Sequence, residues 1–298
     1  MKKVLVTGGC GFIGSYLVDL LLEKQDIKII VIDNMDSGKI EHIVNHKNVD
    51  YVFQDIRYLL GDKICSPMSN SNLLKKLEGV ETIYHLGALA RIQPSFGDPS
   101  LTLDVNVRGT SVVCELARIL GAKVVYAGSS SFYGGVYLNP YSFTKWQGEE
   151  TCKMYSEVYG VSTAIARFFN VYGPRHPKDG PYGTVVGVFE KQYEANMPLT
   201  ITGTGEQRRD FTHVFDIVSG LHAMSADSHK AEVYNLGTGT NHSINELANL
   251  YNTKIAHIPG RPGEAWITLA DISKAREELN WKPMQRLEGY VEQWLNNR

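Results

Sequence analysis

The sequence predicts an α/β protein with a doubly wound parallel sheet and a smaller, loop-rich C-terminal lobe. Short β-branched runs alternate with helical patterns through the first half of the chain. Repeated strand–helix–strand units of this kind favour parallel strands joined by right-handed crossovers. A glycine-rich turn follows the first run directly, and beyond about residue 170 the alternation gives way to turn-forming residues. The 298 residues are enough to bury a sizeable core without disulfides or metals.

Five runs in the first half are predicted to be buried strands, because each is short, apolar and rich in β-branched residues. They are Lys3–Thr7, Ile27–Ile32, Val49–Phe53, Thr82–Leu86 and Lys123–Ala127. Between the first two, an apolar stripe with helical spacing predicts a helix; the stripe consists of Ile13, Leu17, Leu20 and Leu21.

Longer helical patterns follow. One periodic stretch runs from about Pro99 to Leu120 and stops at Gly121, a residue typical of helix ends. The segment Tyr172–Pro181 is so rich in glycine and proline that no regular structure is expected there. Further helices are predicted at about Thr184–Asn196, Ser273–Leu279 and Leu287–Leu295.

The loop from Thr7 to Gly14 carries two overlapping glycine patterns. GxGxxG is matched by Gly9, Gly11 and Gly14, and GxxGxxG by Gly8, Gly11 and Gly14. Glycine is needed there for a tight turn, for close approach to a pyrophosphate and for helix–strand packing. The helix that follows offers free N–H groups and a positive dipole end to phosphate. A plain glycine-rich turn is the alternative, but the strand before and the helix after favour dinucleotide binding.

An acidic residue ends the second predicted strand. Asp33 lies nineteen residues beyond Gly14. A carboxylate there can bind the adenosine ribose hydroxyls and repels a 2′-phosphate. No arginine follows in 34–36, so the sequence favours NAD over NADP. We therefore predict an NAD-binding Rossmann domain over residues 1–170, joined by a segment near 206–237, and a mainly substrate-binding lobe over 171–298.

A tyrosine and a lysine lie one turn apart on a predicted helix. Asn139-Pro140 is a typical N-cap followed by proline at the first helical position. Tyr141 and Lys145 then share a face, shortly after the fifth strand and three serines at 129–131. A neighbouring ammonium lowers the pKa of a tyrosine from about 10. This pattern predicts a tyrosine that acts as a base near neutral pH, with a serine hydroxyl orienting the substrate.

With these motifs, the chain resembles the extended short-chain dehydrogenase/reductase family, and within it the NAD-dependent nucleotide-sugar epimerases and dehydratases, most of all UDP-hexose 4-epimerases. The resemblance runs from Lys3 to about Pro283. It is carried by Thr7–Gly14, Asp33, Asp55-Ile56, His85–Ala88, Asn106, Ser129–Ser131, Tyr141–Lys145, Arg167–Arg175, Arg209–Phe211, Asn235–Gly239 and Arg261–Glu264.

The resemblance implies a role for individual residues. Ser129, Tyr141 and Lys145 would be catalytic. NAD would be bound by Gly8, Gly11, Phe12, Ile13, Gly14, Asp33, Asn34, Asp55, Ile56, Leu86, Ala88, Asn106, Tyr141, Lys145 and Phe168, with Asp55 and Ile56 beside the adenine. The sugar nucleotide would be bound by Ser129, Ser130, Asn170, Arg209, Arg261, Glu264 and Thr268.

Some of these residues can also be judged physically. A diphosphate needs guanidinium forks, and Arg209 and Arg261 both lie in loop-like, glycine-rich surroundings. The alternative is two surface arginines paired with Asp210 and Glu264. Thr268 occupies the position that resembles the family's size gate, where a small residue would leave room for an N-acetyl group.

Other charged residues give weaker signals. Arg91, Arg175 and Arg208 are weaker candidates for binding the substrate. Among the nine histidines, His85 and His213 are expected to be structural.

The implied reaction is 4-epimerisation of a nucleotide-diphosphate sugar through a 4-keto intermediate. Dehydratases and decarboxylases of the family usually carry carboxylates after the orienting hydroxyl, whereas Ser129 is followed by two serines. Decarboxylation, 4,6-dehydration and reduction stay open, because the segment between Ser129 and Tyr141 is shorter than usual and Glu264 replaces the usual aspartate. A non-catalytic dinucleotide-binding protein is a further alternative, although Tyr141 and Lys145 are both present.

Composition limits the other partners. Lys and Arg total 30 against 32 Asp and Glu, so neither a nucleic acid nor a membrane surface is an expected partner. The four cysteines form no CxxC pair, so we expect no metal site and a reducing, cytoplasmic location. No run of 18 apolar residues predicts a membrane span. The family resemblance implies a UDP-sugar substrate and a homodimer formed through the two long helices.

Overall fold

The structure is a computed structural model that describes residues 1–24, 26–61 and 71–298. The strands are β1 (Lys2–Thr7), β2 (Ile27–Asp33), β3 (Val49–Phe53), β4 (Val80–His85), β5 (Lys123–Ser129), β6 (Thr163–Phe168), β7 (Val171–Tyr172), β8 (Leu199–Thr202), β9 (Arg208–Arg209), β10 (Thr212–His213), β11 (Lys230–Leu236), β12 (His242–Ser243) and β13 (Ile255–Ile258). The helices are α1 (Phe12–Leu22), α2 (Ser71–Leu77), α3 (Ile92–Gly97), α4 (Pro99–Leu103), α5 (Gly109–Leu120), α6 (Ser131–Gly134), α7 (Pro140–Tyr159), α8 (Val185–Glu194), α9 (Val214–Met224), α10 (Ile244–Asn249), α11 (Ser273–Leu279) and α12 (Leu287–Asn296).

Seven strands form one sheet in the order β3-β2-β1-β4-β5-β6-β11, and every neighbouring pair is parallel. This confirms the predicted doubly wound α/β fold. All five predicted strands are present, with ends shifted by at most two residues. Because the chain reverses direction across the sheet between β1 and β4, a crevice is expected at the carboxyl ends of these strands.

Alternating side chains of the strands fill two separate cores, one on each face of the sheet. Val4 and Val6 of β1 join the core beneath α1 and α9, whereas Leu5 joins the core beneath α5 and α7. Parallel strands buried on both faces are apolar throughout for this reason. A third core lies between α8, α10 and α12.

The predicted helix over 99–120 is in fact three segments. A π-helical turn at Asp104–Arg108 separates α4 from α5. The prediction of irregular structure from Tyr172 to Pro181 also needs correction, because Tyr172 pairs with His213 in the short β7–β10 ladder and Gly180 begins a 3-10 turn. Two-residue ladders carry no periodicity that a sequence pattern could reveal.

Beyond residue 170 the chain contributes to both parts of the molecule. Helix α9 packs against α1, and β11 lies at the edge of the large sheet beside β6. The short ladders β8–β13 and β9–β12, also formed after residue 170, lie outside the large sheet. The division at residue 170 remains a prediction. Within the described ranges, no helix has the length and apolarity that crossing a bilayer requires.

Candidate active site

A cleft of about 1120 Å³ lies at the carboxyl ends of β1, β2, β4, β5 and β6. Residues from both halves of the chain line it. Clefts for drug-sized ligands measure roughly 300–1,000 Å³, so this one suits a large ligand. With the exception of Asn106, every residue predicted for the site lines this cleft.

The glycine loop forms a cradle that side chains would fill. A Cβ on Gly14 would lie 2.1 Å from the carbonyl oxygen of Gly8. A Cβ on Gly8, whose φ is +71°, would lie 2.8 Å from the nitrogen of Gly87. Helix α1 begins with no side-chain cap and no acidic residue in its first turn. Its first N–H groups are therefore free for an anion such as a pyrophosphate.

Asp33 is positioned by two backbone donors. Its Oδ2 accepts from the nitrogen of Cys10 at 2.9 Å, and its Oδ1 from the nitrogen of Met35 at 2.8 Å. Each carboxylate oxygen retains a lone pair for a further donor. The buried carboxylate thus fits a ribose with two free hydroxyls.

Asp55 stands beside this position on the cleft wall. It accepts hydrogen bonds from the backbone and guanidinium of Arg57 at 2.8–3.0 Å and from the amide of Asn34 at 3.3 Å. These bonds, those from Arg57 foremost, hold the pKa of Asp55 below its usual value. Arg57 is in turn bonded to Asp104, so this wall is fixed before any ligand binds.

Asn106 lies outside the lining of the cleft. It is buried, and its amide bonds to the backbone nitrogen and oxygen of Leu89 and to the hydroxyl of Thr144. These bonds use both of its N–H donors and leave one lone pair on Oδ1. Asn106 thus fixes the loop after β4 against α7, and its contact with the cofactor stays a prediction.

Tyr141 lies in the first turn of α7. The helix is capped by the Asn139 side chain, which accepts from the nitrogen of Ser142 at 2.7 Å. The pKa of the Tyr141 phenol lies above its usual value because burial raises it; hydrogen bonding with Ser129 and the positive charge of Arg91 oppose this effect. The sequence analysis expected the charge of Lys145 to lower this pKa. In the structure the net shift is upward, and the cation that opposes burial is Arg91.

Lys145 lies one turn further along α7, with its ammonium 4.4 Å from the centroid of the Tyr126 ring. Burial lowers the pKa of Lys145 to about 8, and the negative charge of Glu149 opposes this effect. Glu149 is itself buried and forms a two-pronged ion pair with Arg167, whose nitrogens lie 2.7 and 3.0 Å from its oxygens. A chain of buried charges therefore runs down the inner face of α7.

Arg209 corrects the expectation of a loop-like setting. It lies in β9, which pairs with β12, and only 9% of its surface is exposed. Its guanidinium donates to the carbonyl of Arg208 at 2.9 Å and lies 3.6 Å from Glu264. The alternative partner Asp210 is fully buried and accepts backbone hydrogen bonds from residues 238, 239 and 270.

The loop that carries Arg261 is tied to α3 and to the N-terminus of α7. Gln93 on α3 donates to the carbonyl of Pro262 at 3.0 Å, and Asn139 donates to that of Gly263 at 2.8 Å. Arg261 is exposed at the rim of the cleft. Thr268 is buried on the cleft wall, and its hydroxyl has no hydrogen-bond partner among the described residues.

The three arginines predicted as weaker candidates for binding the substrate differ in whether they line the cleft. Arg175 pairs with Asp19 at 2.6 Å and Arg208 with Glu246 at 2.9 Å, and neither lines the cleft. Arg91 does line it, close enough to Tyr141 to affect the pKa of the phenol. Arg91 lies in the loop after β4, at the point where the strand order of the sheet reverses. Because ligands commonly bind at this point in such sheets, the sequence position of Arg91 already indicated a place in the site.

Both histidines expected to be structural are buried. His85 contacts the hydroxyls of Thr7 and Thr110 at 2.8 and 3.0 Å, and burial lowers its pKa to about 3. His213 caps α9 by accepting from the nitrogen of Phe215, and burial lowers its pKa to about 4. In the described part of the chain, no group of three or more His, Cys, Asp or Glu residues could hold a metal ion.

Comparison with known proteins bears on this arrangement. A family model described as GDP-mannose 4,6 dehydratase matches residues 5–294. The chain belongs to the extended short-chain dehydrogenase/reductase family of nucleotide-sugar epimerases and dehydratases. Within this family it is similar to the uncharacterized UDP-glucose epimerase YtcB of Bacillus subtilis, with 32% identity over 96% of this chain and 94% of that one. It is also similar to UDP-glucuronic acid decarboxylase 1 of Arabidopsis thaliana, with 34% identity over 94% of this chain and 66% of that one.

A solved member of the family adds the cofactor. UDP-glucuronic acid 4-epimerase from Bacillus cereus, in complex with UDP-glucuronic acid and NAD, superposes with a TM-score of 0.86 and 29% identity, covering 97% of this chain and 96% of that one. We therefore identify NAD as the cofactor of the enzyme described here. The glycine cradle, the free N-terminus of α1 and the doubly anchored Asp33 fit it.

Proposed function

We propose that the enzyme epimerises a nucleotide-diphosphate sugar, most suitably a UDP-sugar, at C4 through a transient 4-keto intermediate. The observation that carries this proposal is the group of Ser129, Tyr141 and Lys145 on the wall of the NAD-sized cleft, in which Ser129 and Lys145 are buried and Tyr141 is half-buried. Arg209 and Arg261 line the same cleft from the second half of the chain. They supply the guanidinium groups that a diphosphate needs.

Each residue has a defined part in this reaction. Ser129, which is hydrogen-bonded to the phenol, orients the sugar 4-hydroxyl, and Tyr141 takes its proton. NAD, held by the glycine cradle and Asp33, would supply the reversible hydride transfer at C4. Once C4 has inverted, Tyr141 gives the proton back to the oxygen at C4. The cycle is redox-neutral, so the cofactor need not dissociate.

Decarboxylation is the second candidate, because the chain is 34% identical to a UDP-glucuronic acid decarboxylase. The acids of the cleft favour epimerisation instead. Among the described lining residues the carboxylates are Asp33, Asp36, Asp55, Asp179 and Glu264. Asp33 ends β2, and Asp36 and Asp55 lie in the loops after β2 and β3. Asp179 pairs with Lys191, and Glu264 lies beside Arg209. The segment after Ser129 supplies only hydroxyls for the acid–base work of a dehydratase or decarboxylase.

Substitution of Tyr141 tests the proposed base. Tyr141→Phe should lower turnover at least about 100-fold, the lower end of a general base's contribution, with NAD binding nearly intact. The assay is a panel of UDP-, dTDP- and GDP-sugars with products separated by chromatography. Tyr137→Phe removes a hydroxyl from an exposed tyrosine outside the cleft and serves as control. Unchanged turnover by Tyr141→Phe would refute the assigned role.

The proposal also concerns the size of the substituent that the sugar carries at C2. Thr268 is small and lies on the cleft wall, so we propose that N-acetylated hexoses are accepted. Thr268→Tyr should then abolish activity on the N-acetylated sugar and spare the plain hexose. Equal loss on both substrates, measured as kcat/KM, would argue against a size gate.

We also propose a homodimer that pairs through α5 and α7. Ile119 of α5 and Met154, Val158 and Tyr159 of α7 are exposed apolar residues on these helices. Such residues mark protein contact surfaces when they form a patch. Light scattering should give twice the chain mass, and a monomer at micromolar concentration would oppose this. The cytoplasmic location remains a prediction.

A further inference from the structure

Arg91 is the cationic residue near Tyr141 to which the proposed reaction gives no task. It precedes α3 at the end of the loop that follows β4, and it lines the cleft. Its Nε donates to the carbonyl of Tyr182 at 2.8 Å. This bond anchors one side of the guanidinium and leaves the two terminal nitrogens without a protein acceptor among the described residues.

The other arginines around the cleft are in different situations. Arg57 is bonded to Asp55 and Asp104, Arg209 lies beside Glu264, and Arg261 is exposed to solvent. No carboxylate in the described ranges lies within 4 Å of Arg91. Because burial disfavours an unpaired charge and lowers the pKa of Arg91, a bound anion is the partner that this guanidinium lacks.

The position of Arg91 indicates which anion it meets. Its charge acts on the Tyr141 phenol, and the backbone nitrogen of Tyr141 is bonded to Ser95 of α3, the helix that begins directly after Arg91. Tyr141 acts at C4 of the sugar. The C6 group is attached to C5, the neighbour of C4, whereas the diphosphate is attached across the ring at C1. Of the two groups of a sugar nucleotide that can be anionic, the C6 group and the diphosphate, the C6 group therefore lies nearer to C4 and to Tyr141.

A second donor lines the same cleft. The hydroxyl of Ser131 is buried, lines the cleft and has no hydrogen-bond partner among the described residues. A carboxylate has two oxygens and can accept from a guanidinium and a hydroxyl at once. A neutral CH₂OH group would leave the guanidinium without a counter-charge.

Resting on the proposed 4-epimerisation, we propose that Arg91 is a specificity-determining residue that binds a carboxylate at C6, so that the preferred substrate is a nucleotide-linked uronic acid. The arginine and the serine hydroxyl form the carboxylate subsite. No bond is made or broken there, and the redox-neutral cycle at C4 is unchanged.

The test compares one ratio between variants. Wild-type enzyme, Arg91→Met and Arg91→Lys are assayed with UDP-glucuronate and UDP-glucose, and kcat/KM for epimerisation is measured for each. The wild type should prefer the uronate. Arg91→Met should reduce the uronate-to-hexose ratio about 30-fold or more, which corresponds to the loss of about 2 kcal/mol from a buried charge pair. Arg91→Lys, which keeps the charge but not the fork, should fall between the two.

Several outcomes would overturn the proposal. An unchanged ratio, with both substrates slowed alike, would mean that Arg91 acts only on Tyr141. Loss of bound NAD from Arg91→Met with equal loss on both sugars would mean that Arg91 serves the cofactor. Epimerisation of UDP-glucose with no activity on the uronate would overturn this inference alone, and failure to epimerise any sugar on the panel would overturn the proposed function with it. Thermal melting confirms that each variant is folded, and Arg91→Gln replaces Arg91→Met if that variant is not.

Discussion

At the scale of the residue, the cleft contains ionisable side chains whose charged form is destabilised by burial. Lys145 is 5% exposed, and its pKa of about 8 lies below the usual value of about 10.4 for lysine. The unfolded chain therefore binds this proton more tightly than the folded protein does. Keeping Lys145 protonated costs the folded state about 3 kcal/mol at pH 7, at about 1.4 kcal/mol per pH unit.

Lys145→Met should show this cost directly. We expect the variant to be inactive but to have a higher free energy of unfolding at pH 7 than the wild type, because the buried charge is gone. The difference should shrink as the pH rises from about 8 to above about 10.4, because the wild-type lysine loses its proton first in the folded protein and then in the unfolded chain. Denaturant titration at several pH values measures it. A variant destabilised equally at pH 7 and pH 10 would contradict the account.

At the scale of the element, the cap of α7 links the helix that carries Tyr141 and Lys145 to the loop that carries Arg261. Asn139 accepts from the nitrogen of Ser142 and donates to the carbonyl of Gly263. Asn139→Ala should cost about 1 kcal/mol of stability, the usual value for a lost N-cap. It should also raise KM for the sugar nucleotide more than it lowers kcat, because the diphosphate-side loop loses an anchor.

A matched control exists on another helix. Ser243 caps α10 and takes part in a capping box with Glu246, and it does not line the cleft. Ser243→Ala should cost a similar free energy while leaving KM unchanged. If both variants raised KM alike, the link through Gly263 would have no functional part.

The elements also show where sequence patterns succeed and fail. The strands of the first half were predictable because burial on both faces makes them continuous apolar runs. Thr163–Phe168 and Lys230–Leu236 were not assigned to the sheet, since Arg167 and Glu232 interrupt the apolar pattern. Arg167 is tolerated because Glu149 pairs with it inside the protein, and such a partner cannot be read from a local pattern.

The site shows the same limit. The glycine loop, Asp33 and the Tyr141–Lys145 pair were predictable because their chemistry fixes their spacing along the chain. The hydrogen bonds of Asn106 and Arg91 could not be predicted, because their partners Leu89, Thr144 and Tyr182 are not neighbours in the sequence. Those partners are 17 to 91 residues away in sequence.

At the scale of the whole molecule, two buried histidines make stability depend on pH. The pKa of His85 is about 3 and that of His213 about 4, both below the usual value of about 6.5. As the pH falls below 6.5, the unfolded chain takes up protons that the folded protein excludes, so stability declines. By pH 5 each histidine should remove about 2 kcal/mol from the free energy of unfolding.

Denaturant titration between pH 7 and pH 5 tests this expectation. His213→Gln should make the decline shallower by about 2 kcal/mol, whereas His257→Gln, at an exposed position, should leave it unchanged. A wild-type stability that is flat over this range would contradict the assignment of both histidines as buried and neutral.

The most direct test of the central claim follows one hydrogen atom. UDP-sugars deuterated at C4, the uronate and the hexose, are incubated with the enzyme without added NAD, and the products are observed by NMR. Epimerisation by a bound cofactor predicts a product of inverted configuration that keeps its deuterium at C4. A product that has lost carbon dioxide or water, or deuterium that leaves with the cofactor, would contradict it.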